Sequence, residues 1–501
     1  MEYKLECNIH NNGYRSYREF INQVQEICLT KQSFACLSYS DLAVKRRIKQ
    51  AIYEYEGGKF LKDYFQELSG DNKKKECGIS LNNKEIRVTL KLRIISYFYF
   101  IVFWIKVLAH FLISLLKYKN QSTRNISLLC LYGHENTILK NNGNDFFEFC
   151  KKGFVQPLVD SDLIIVECRR ASAHLKKVNV VLVRNVIDEY FSTQKYSLKR
   201  ATVFLYHHVK AFLVYTEHVI RNPLFVLLWR DLSYHALWVD SSRHKAISNI
   251  FISNSHVSSQ ELPLIDLEDR YHQLHLLPYS AGFWGVTLKS EKSSITHPGN
   301  WEIKVDKVWC WFKEQADWFL SNEYAREIIT CHPVLYYLPP FVKVALPIKN
   351  KITCFDITPF KNYDSFLGCH YYALENMLQF IKDIIEVKAD SFKSFNLEIK
   401  PKRDYLEIHF KEYIAQLEKF ADLGEIILVN SASNMFELID GSSVVIAIPF
   451  TSPAYIAALR GVPAIFYDPS MQLICTHPLI NNLYWASGKK ELELLLKKIL
   501  S

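Results

Sequence analysis

Glycine and proline are sparse in this chain, with 16 of each in 501 residues. This scarcity argues against long disordered linkers, and a hydrophobic content of 49% predicts a packed protein. The length exceeds that of one ordinary core, so we expect two or more domains. The twelve cysteines form no C-x-x-C pair, which predicts reduced thiols and no zinc site.

Several other signatures are also absent. The first residues, MEYKLECNIH, show no basic region followed by an apolar stretch, so we predict no secretory signal and expect the cytoplasmic side. No G-x-x-x-x-G-K-[ST] or strand-following G-x-G-x-x-G occurs, which argues against P-loop and dinucleotide cofactor sites. A D-x-D appears only at 160–162, ahead of a strand rather than after one. We therefore expect no bound metal and no cofactor.

The charge balance is positive, with a net charge of +9. A basic chain suits nucleic acid, anionic lipid or phosphorylated ligands. No nucleic-acid-binding signature accompanies the charge, so nucleic acid is not an expected partner.

One long apolar run, residues 94–116, is long enough to span a bilayer. Lys106 and His110 interrupt it, and basic residues flank both of its ends. A spanning helix, a helix lying in the membrane surface and a buried core helix are the three alternatives. The basic flanks and the aromatic content favour the surface helix.

The pattern of strands and helices divides the chain into three parts. Residues 1–120 read as a helical region, which includes the apolar run. Residues 121–340 and 341–501 each alternate apolar strands with helices, as in parallel sheets covered on both faces. We therefore predict an α/β protein with two doubly wound Rossmann-type domains facing a cleft, with ligands at the carboxyl ends of the strands.

The stretch AIPFTSPAYIAALRGVPAIFYD, residues 447–468, reads as strand, turn, helix and strand. Pro453 suits the first helical position and Ser452 the N-cap. A helix start that follows a parallel strand offers backbone N–H groups, and the hydroxyls of Thr451 and Ser452 could complete a phosphate site. The alternative is that Ser452 only caps its helix.

A second predicted strand of the same sheet ends in a basic loop with Lys400, Lys402 and Arg403. Lys and Arg there would neutralise a phosphoryl group in the same cleft. Asp356 and Thr358 follow a third strand and would also face it. The alternative for the basic residues is an ordinary solvated surface cluster.

The sequence Pro449–Phe450–Thr451–Ser452 resembles the bacterial polysaccharide-biosynthesis proteins named for a P-F-T-S motif. More distantly, the chain is similar to GT-B glycosyltransferases that use CMP-activated acidic sugars, such as Kdo transferases and sialyltransferases. In those enzymes a His-Pro motif and a Ser-Ser/Thr pair contact the nucleotide. Lys402 stands where that histidine would be expected, and this departure leaves CMP open as the nucleotide of the donor. The resemblance implies a GT-B fold and a nucleotide-sugar donor held by the motif and the basic loop.

Glycosyl transfer also needs a base and an acceptor pocket. His134 and Glu135, in the loop YGHEN, are the candidate bases, and Asp356 would orient the sugar or ribose. A structural hydrogen bond for His134 and a capping role for Glu135 are the alternatives. The acceptor side is expected on polar loops of the first domain, at Asn254, Ser255, Tyr279 and Ser280.

Together these features predict a metal-independent glycosyltransferase of bacterial surface polysaccharide biosynthesis, for capsule or O-antigen. The expected partners are a nucleotide-sugar donor, a glycan or lipid-linked acceptor and the inner-membrane surface. A non-catalytic polysaccharide assembly protein and a nucleotide-sugar epimerase of GT-B shape are the alternatives.

Overall fold

The fold is taken from a computed structural model. The described residues are 3–6, 37, 39–40, 43–44, 46–48, 50–51, 79–82, 85–88, 90–117, 124–130, 161–167, 173–175, 180–183, 186–221, 223–253, 262–266, 270–278, 280–281, 287–289, 304–321, 325–330, 350–357, 359, 373–402, 410–431, 433–475 and 479–500.

The chain forms two compact units. The first comprises Met1–Pro278 and Pro298–Tyr337, and the second comprises Tyr279–His297 and Leu338–Ser501. The short segment 279–297 therefore belongs with the C-terminal unit, although the residues on either side of it belong to the first.

An eight-stranded sheet organises the first unit. Its strands are β4 (Ile126–Cys130), β5 (Leu163–Glu167), β6 (Ala173–Leu175), β7 (Val180–Val183), β8 (Ile247–Ser253), β9 (Gln273–Leu277), β10 (Val305–Cys310) and β11 (Ala325–Thr330), in the order β11-β10-β9-β8-β4-β5-β7-β6. All neighbours pair in parallel except β6, which runs antiparallel to β7 at the edge. The chain builds outward from β4 through β5 to β7 and then returns to place β8 on the other side of β4.

Helices accompany this sheet. They are α1 (Leu90–Lys117), α2 (Val186–Tyr190), α3 (Leu198–Arg221), α4 (Trp229–Ser233), α5 (His235–Arg243), α6 (Leu262–Ile265) and α7 (Lys313–Ser321), with 3-10 turns at Phe191–Thr193 and Pro223–Leu228. A small antiparallel sheet of β1 (Tyr3–Glu6), β3 (Glu85–Val88) and β2 (Ile79–Asn82) precedes them.

A six-stranded parallel sheet forms the second unit, in the order β14-β13-β12-β15-β16-β17. Its strands are β12 (Lys351–Phe355), β13 (Asn396–Lys400), β14 (Ile427–Leu428), β15 (Val444–Ala447), β16 (Ala464–Asp468) and β17 (Leu483–Ser487). Its helices are α8 (Leu374–Ser391), α9 (Lys411–Asp422), α10 (Met435–Asp440), α11 (Ser452–Leu459) and α12 (Lys489–Leu500).

The central strands of the second sheet are buried on both faces. Every residue of β12, β15 and β16 is buried. The sequences of β15 (VVIA) and of β16 up to Tyr467 (AIFY) are accordingly continuous apolar runs, whereas β12 (KITCF) includes Lys351 and Thr353. Gly461 follows α11 with φ +80°, a left-handed conformation that ends the helix and leads into β16.

The predicted α/β class, with two doubly wound sheets, is confirmed. The region 1–120 was expected to be helical, and its described residues include the helix α1 but also three strands. The short strands β6, β11 and β17 were not predicted either. Strand β14 has only two residues.

Candidate functional site

The order of strands in the second sheet marks one place for a ligand. From β12 the chain adds β13 and β14 on one side and then crosses to place β15 on the other side of β12. In open α/β sheets, ligands bind at the carboxyl ends of strands where the winding direction reverses in this way. Phe355 pairs with Ala447 at the ends of β12 and β15. Asp356 and the Pro449–Ser452 sequence follow directly, so both lie at this reversal point.

The turn between β15 and α11 has an unusual backbone. Phe450 adopts φ +64°, the left-handed region that non-glycine residues rarely enter. Its side chain is 5% exposed, and its ring lies 5.7 Å from that of Trp485 and 5.9 Å from that of Phe466. Burial of the aromatic ring offsets the conformational cost of about 1 kcal/mol. The buried ring of Phe450 therefore anchors the turn against Phe466 and Trp485.

The two hydroxyls of the motif do not cap the helix. Thr451, not Ser452, is the N-cap residue, and it makes no side-chain capping bond. Its Oγ1 instead donates to the carbonyl of Ile448 at 2.7 Å, closing the turn. Ser452 is the first helical residue, and Pro453 follows it. The prediction that Ser452 caps α11 was therefore wrong by one position, because Pro453 is tolerated one residue further into the first turn.

Ser452 binds a segment that is distant in sequence. Its Oγ accepts a hydrogen bond from the backbone N–H of Ala281 at 3.0 Å and donates to Ser280 Oγ at 3.1 Å. We expected Ser280 on the acceptor side of the first domain, but it lies in the second unit beside the motif. A second attachment follows a few residues later, where Ile474 N donates to Thr287 O at 2.9 Å.

Asp356 is buried, with 5% of its surface exposed. Its Oδ1 accepts from the backbone N–H of Lys402 at 2.8 Å, and its Oδ2 accepts from the Tyr413 hydroxyl at 2.9 Å. The carboxylate thus ties the end of β12 to the loop after β13 and to α9. Its negative charge, after burial itself, is the second reason why the pKa of Cys354 is raised. These contacts make Asp356 a residue that positions the basic loop.

The lysines of the basic loop differ in surroundings. Lys400 is 9% exposed, and its Nζ donates to the carbonyl of Ser431 at 2.6 Å and to that of Pro401 at 3.4 Å. Ser431 follows β14, the neighbour of β13 on the side away from β12. Lys402 is exposed and lies past the end of β13. Of these two lysines, Lys402 has the more exposed side chain.

Several predicted site residues lie outside the described residues: His134, Glu135, Asn254, Ser255, Tyr279, Thr358 and Arg403. Their positions in the chain are still informative. In the sequence, His134 and Glu135 come shortly after β4, and Asn254 and Ser255 come directly after β8. Strands β4 and β8 are adjacent and flank the reversal point of the first sheet.

Two contributors to the site were not identified from the sequence. Tyr413 lies in the first turn of α9, and Ala281 contributes only its backbone N–H. Neither carries a motif, because a buried hydroxyl and an amide donor depend on tertiary contacts. Among the described residues, no group of three or more His, Cys, Asp or Glu side chains could hold a metal ion.

The sequence matches one protein family over more than half of its length. Residues 207–496 match the model of the polysaccharide biosynthesis PFTS motif proteins, and the matched region includes the Pro449–Ser452 turn. The chain belongs to this family. Its role therefore lies in polysaccharide biosynthesis. No curated protein matches the chain.

Three solved structures align with this chain at low identity. The apo form of WaaB, a lipopolysaccharide outer core galactosyltransferase, is 11% identical, with a TM-score of 0.34, and the match covers 75% of this chain and 90% of that one. The wall teichoic acid polymerase TagF is 10% identical, with a TM-score of 0.33, and the shares are 68% and 69%. A protein assigned as UDP-N-acetylglucosamine 2-epimerase from Listeria monocytogenes is 9% identical, with a TM-score of 0.39 and shares of 76% and 88%. Values this low do not assign a reaction to the chain.

Proposed function

We propose that this protein is a glycosyltransferase of GT-B type that transfers a sugar from a nucleotide-activated donor during synthesis of a bacterial surface polysaccharide, capsule or O-antigen. The family supplies the polysaccharide context. The observation that carries the proposal is the place of the family motif, at the winding reversal of the second sheet, where Asp356 also follows its strand.

The donor phosphate would bind between the motif turn and the loop after β13. Because Thr451 makes no side-chain cap, the backbone N–H groups at the start of α11 can donate to an anion. Lys402, after β13 on the other side of β12 from the motif, would add a positive charge. As negative charge develops on the departing phosphate, these fixed donors would stabilise it. CMP, UDP and GDP remain the candidate nucleotides.

Asp356 and Ser452 act in this proposal through other residues. Asp356 fixes the backbone at Lys402, and Ser452 fixes segment 280–281 against the motif. Each side chain already accepts a hydrogen bond from a backbone N–H of the protein. Both are therefore proposed as positioning residues rather than as groups that touch the donor.

The acceptor side is proposed at the first sheet. Glu135 or His134 after β4 would serve as general base, and Asn254 and Ser255 after β8 would bind acceptor hydroxyls. Adjacent strands that flank a winding reversal support this placement. The acceptor is proposed to be a glycan or a lipid-linked sugar, which the protein meets as a peripheral protein at the cytoplasmic side of the inner membrane.

The test is binding and turnover of donors by the full-length protein. A thermal-unfolding screen with CMP, UDP and GDP, followed by assays of nucleotide release from the matching sugar donors, would identify the nucleotide. Binding raises the Tm because only the folded state binds. We expect one nucleotide to raise the Tm and its sugar donor to be turned over with an acceptor glycan. Absence of binding to every nucleotide would contradict the proposal and favour the assembly protein, and conversion of a donor to its epimer without acceptor would favour the epimerase.

A further inference from the structure

Two long helices of the first unit pack side by side. Tyr97 of α1 stacks on Tyr215 of α3 with ring centroids 6.0 Å apart, and Phe111 stacks on Phe204 at 4.3 Å. Between them, the Trp104 ring lies 4.4 Å from the ring of His208. Contact positions rise along α1 as they fall along α3, so the two helices are antiparallel.

The centre of this contact is held by two reciprocal hydrogen bonds. Trp104 Nε1–H donates to the carbonyl of His208 at 3.0 Å, and His208 Nε2–H donates to the carbonyl of Trp104 at 3.1 Å. Burial lowers the pKa of His208 to about 4, so its ring is neutral at pH 7. The helix pair is thus a fixed unit of the fold.

The helix geometry places the exposed positions of α1 and α3 on one side. An α-helix turns about 100° per residue, so Ile105 lies that far round α1 from Trp104, and Val209 that far round α3 from His208. In antiparallel helices that face each other, equal rotations of this kind point to the same side of the pair. On the opposite side, Phe103 packs against Trp229 of α4 with ring centroids 5.3 Å apart.

That shared side is strongly apolar, and we call it the α1–α3 face. Its side chains are all large, aliphatic or aromatic, and between 37% and 86% exposed: Ile94, Phe98, Val102, Ile105, Leu112 and Leu116 of α1, and Leu198, Leu205, Val209, Leu213 and Ile220 of α3. Along each helix they recur at intervals of three, four or seven residues on the same side, so they form two stripes about 33 Å long. Soluble monomers seldom expose so large a contiguous apolar surface.

The charges of the two helices have one predominant sign. The sequence of α1 contains no Asp or Glu, and it carries Arg93 and Lys106. In α3 the single acid is Glu217, whose carboxylate is already paired with Arg221 at 2.7 Å. Lys199 is exposed at the amino end of α3. An apolar face with positive charges around it complements a bilayer that contains anionic headgroups.

We infer that the α1–α3 face docks the protein on the surface of an anionic lipid bilayer, with both helices lying in the plane of the headgroups. Residues Leu92–Leu116 are, among the described residues, the one helix long and apolar enough to cross a membrane. However, Phe100, Val107 and Phe111 on the inner side of α1 are fully buried in the first unit. A spanning α1 would have to give up these contacts, whereas surface docking keeps them.

This inference rests on the proposed membrane-peripheral function, but lipid binding and nucleotide binding are measured separately. The experiment is co-sedimentation of the purified full chain with vesicles of phosphatidylcholine alone or with phosphatidylglycerol at roughly a 7:3 ratio. The double variant Ile105→Glu/Leu213→Glu places a charge on each stripe. Its matched control, Leu423→Glu/Leu494→Glu, alters two leucines of similar exposure, 62% and 67%, in the second unit.

We expect the native chain and the control to sediment with the anionic vesicles and to be released by alkaline carbonate. The stripe variant should lose roughly tenfold or more in vesicle affinity, with an unchanged Tm and unchanged nucleotide binding. Vesicle binding that is equal for the two variants would overturn the inference, as would absence of binding by the native chain. Retention in carbonate would show a spanning helix instead. A further outcome would be a native chain that is a dimer in the absence of lipid and does not bind vesicles, while the stripe variant is a monomer. That outcome would show that a second copy of the chain, and not a membrane, covers the face.

Discussion

The hydroxyl of Ser452 accepts the backbone N–H of Ala281 at 3.0 Å, although 171 positions separate the two residues. The serine that ends the family motif thus fastens a segment that lies between two parts of the first unit in the chain. The motif has a structural task that its sequence does not reveal. Its loss is expected to disturb both the motif turn and this segment.

Replacement of this serine should therefore have a measurable structural cost. Ser452→Ala removes the acceptor of Ala281 N–H and the donor to Ser280, and we expect a loss of about 1–2 kcal/mol in the free energy of unfolding. Ser280→Ala leaves the Ala281 bond intact and should cost less. Urea unfolding of both variants measures this difference. Equal stability of Ser452→Ala and the native chain would contradict the anchoring role.

The proposed phosphate contact is tested by Lys402→Ala. Loss of a charge-assisted contact should weaken nucleotide binding by about 1.5–3 kcal/mol. The Tm without ligand should hardly change, because Lys402 is exposed. Lys393→Ala is the matched control, since Lys393 is an exposed lysine before β13, at its opposite end. Calorimetric titration separates the two, and an equal effect of both variants would exclude a specific role for Lys402.

Asp356 is expected to act through position. Asp356→Asn keeps one acceptor oxygen but places an amide donor against either Lys402 N–H or the Tyr413 hydroxyl, which should cost about 1–3 kcal/mol of stability. Tyr413→Phe removes one bond only and should cost about 1 kcal/mol. If Asp356 positions the basic loop, both variants should raise the Kd for nucleotide in proportion to the lost stability. A catalytic Asp356 would instead lower kcat with little change in Kd.

The sequence predicted the parallel sheets well because strands buried on both faces have continuous apolar runs. Strand β15 and the first four residues of β16 are of this kind. It failed at edge strands such as β11, where Ala325–Thr330 is only partly buried and has no clear pattern. Edge strands take their conformation from one neighbour, so local sequence says little about them.

The candidate site was predicted in outline but not in its contacts. The alternation of strands and helices placed Asp356 and Thr451 at one sheet edge, since strand ends follow from local sequence. The partners of Lys400 and Ser452 depend on loops that meet only in the fold. For this reason Lys400 was expected in the ligand site, although its ammonium binds the carbonyl of Ser431.

Buried histidines predict a dependence of stability on pH. His275 accepts from Trp309 Nε1–H at Nδ1, so its Nε2–H donates to Asn249 and the ring is neutral. Burial, with a smaller effect of Lys307, lowers its pKa from 6.5 to about 3. His235 and His272 also have pKa values lowered to about 3, mainly by burial.

The sign of this effect follows from proton linkage. Below pH 6.5 the histidines of the unfolded chain become protonated, whereas those of the folded chain stay neutral. The unfolded state therefore gains free energy from proton binding, and stability falls as the pH decreases towards 3. Between pH 7 and pH 5 each such histidine should cost roughly 1–2 kcal/mol of unfolding free energy. Urea unfolding at the two pH values measures the loss, and His275→Gln should reduce it. An unchanged pH dependence in that variant would mean that His275 can be protonated in the fold.

Hydrogen–deuterium exchange of the full chain measures whether the motif turn and the basic loop of the second sheet hold a donor nucleotide. The chain is measured alone and with each of CMP, UDP and GDP. One nucleotide should slow exchange in peptides that cover 400–403 and 449–456, and Lys402→Ala should abolish the effect. Slower exchange confined to other parts of the chain, or no change with any of the three at saturating concentration, would contradict the proposed nucleotide site.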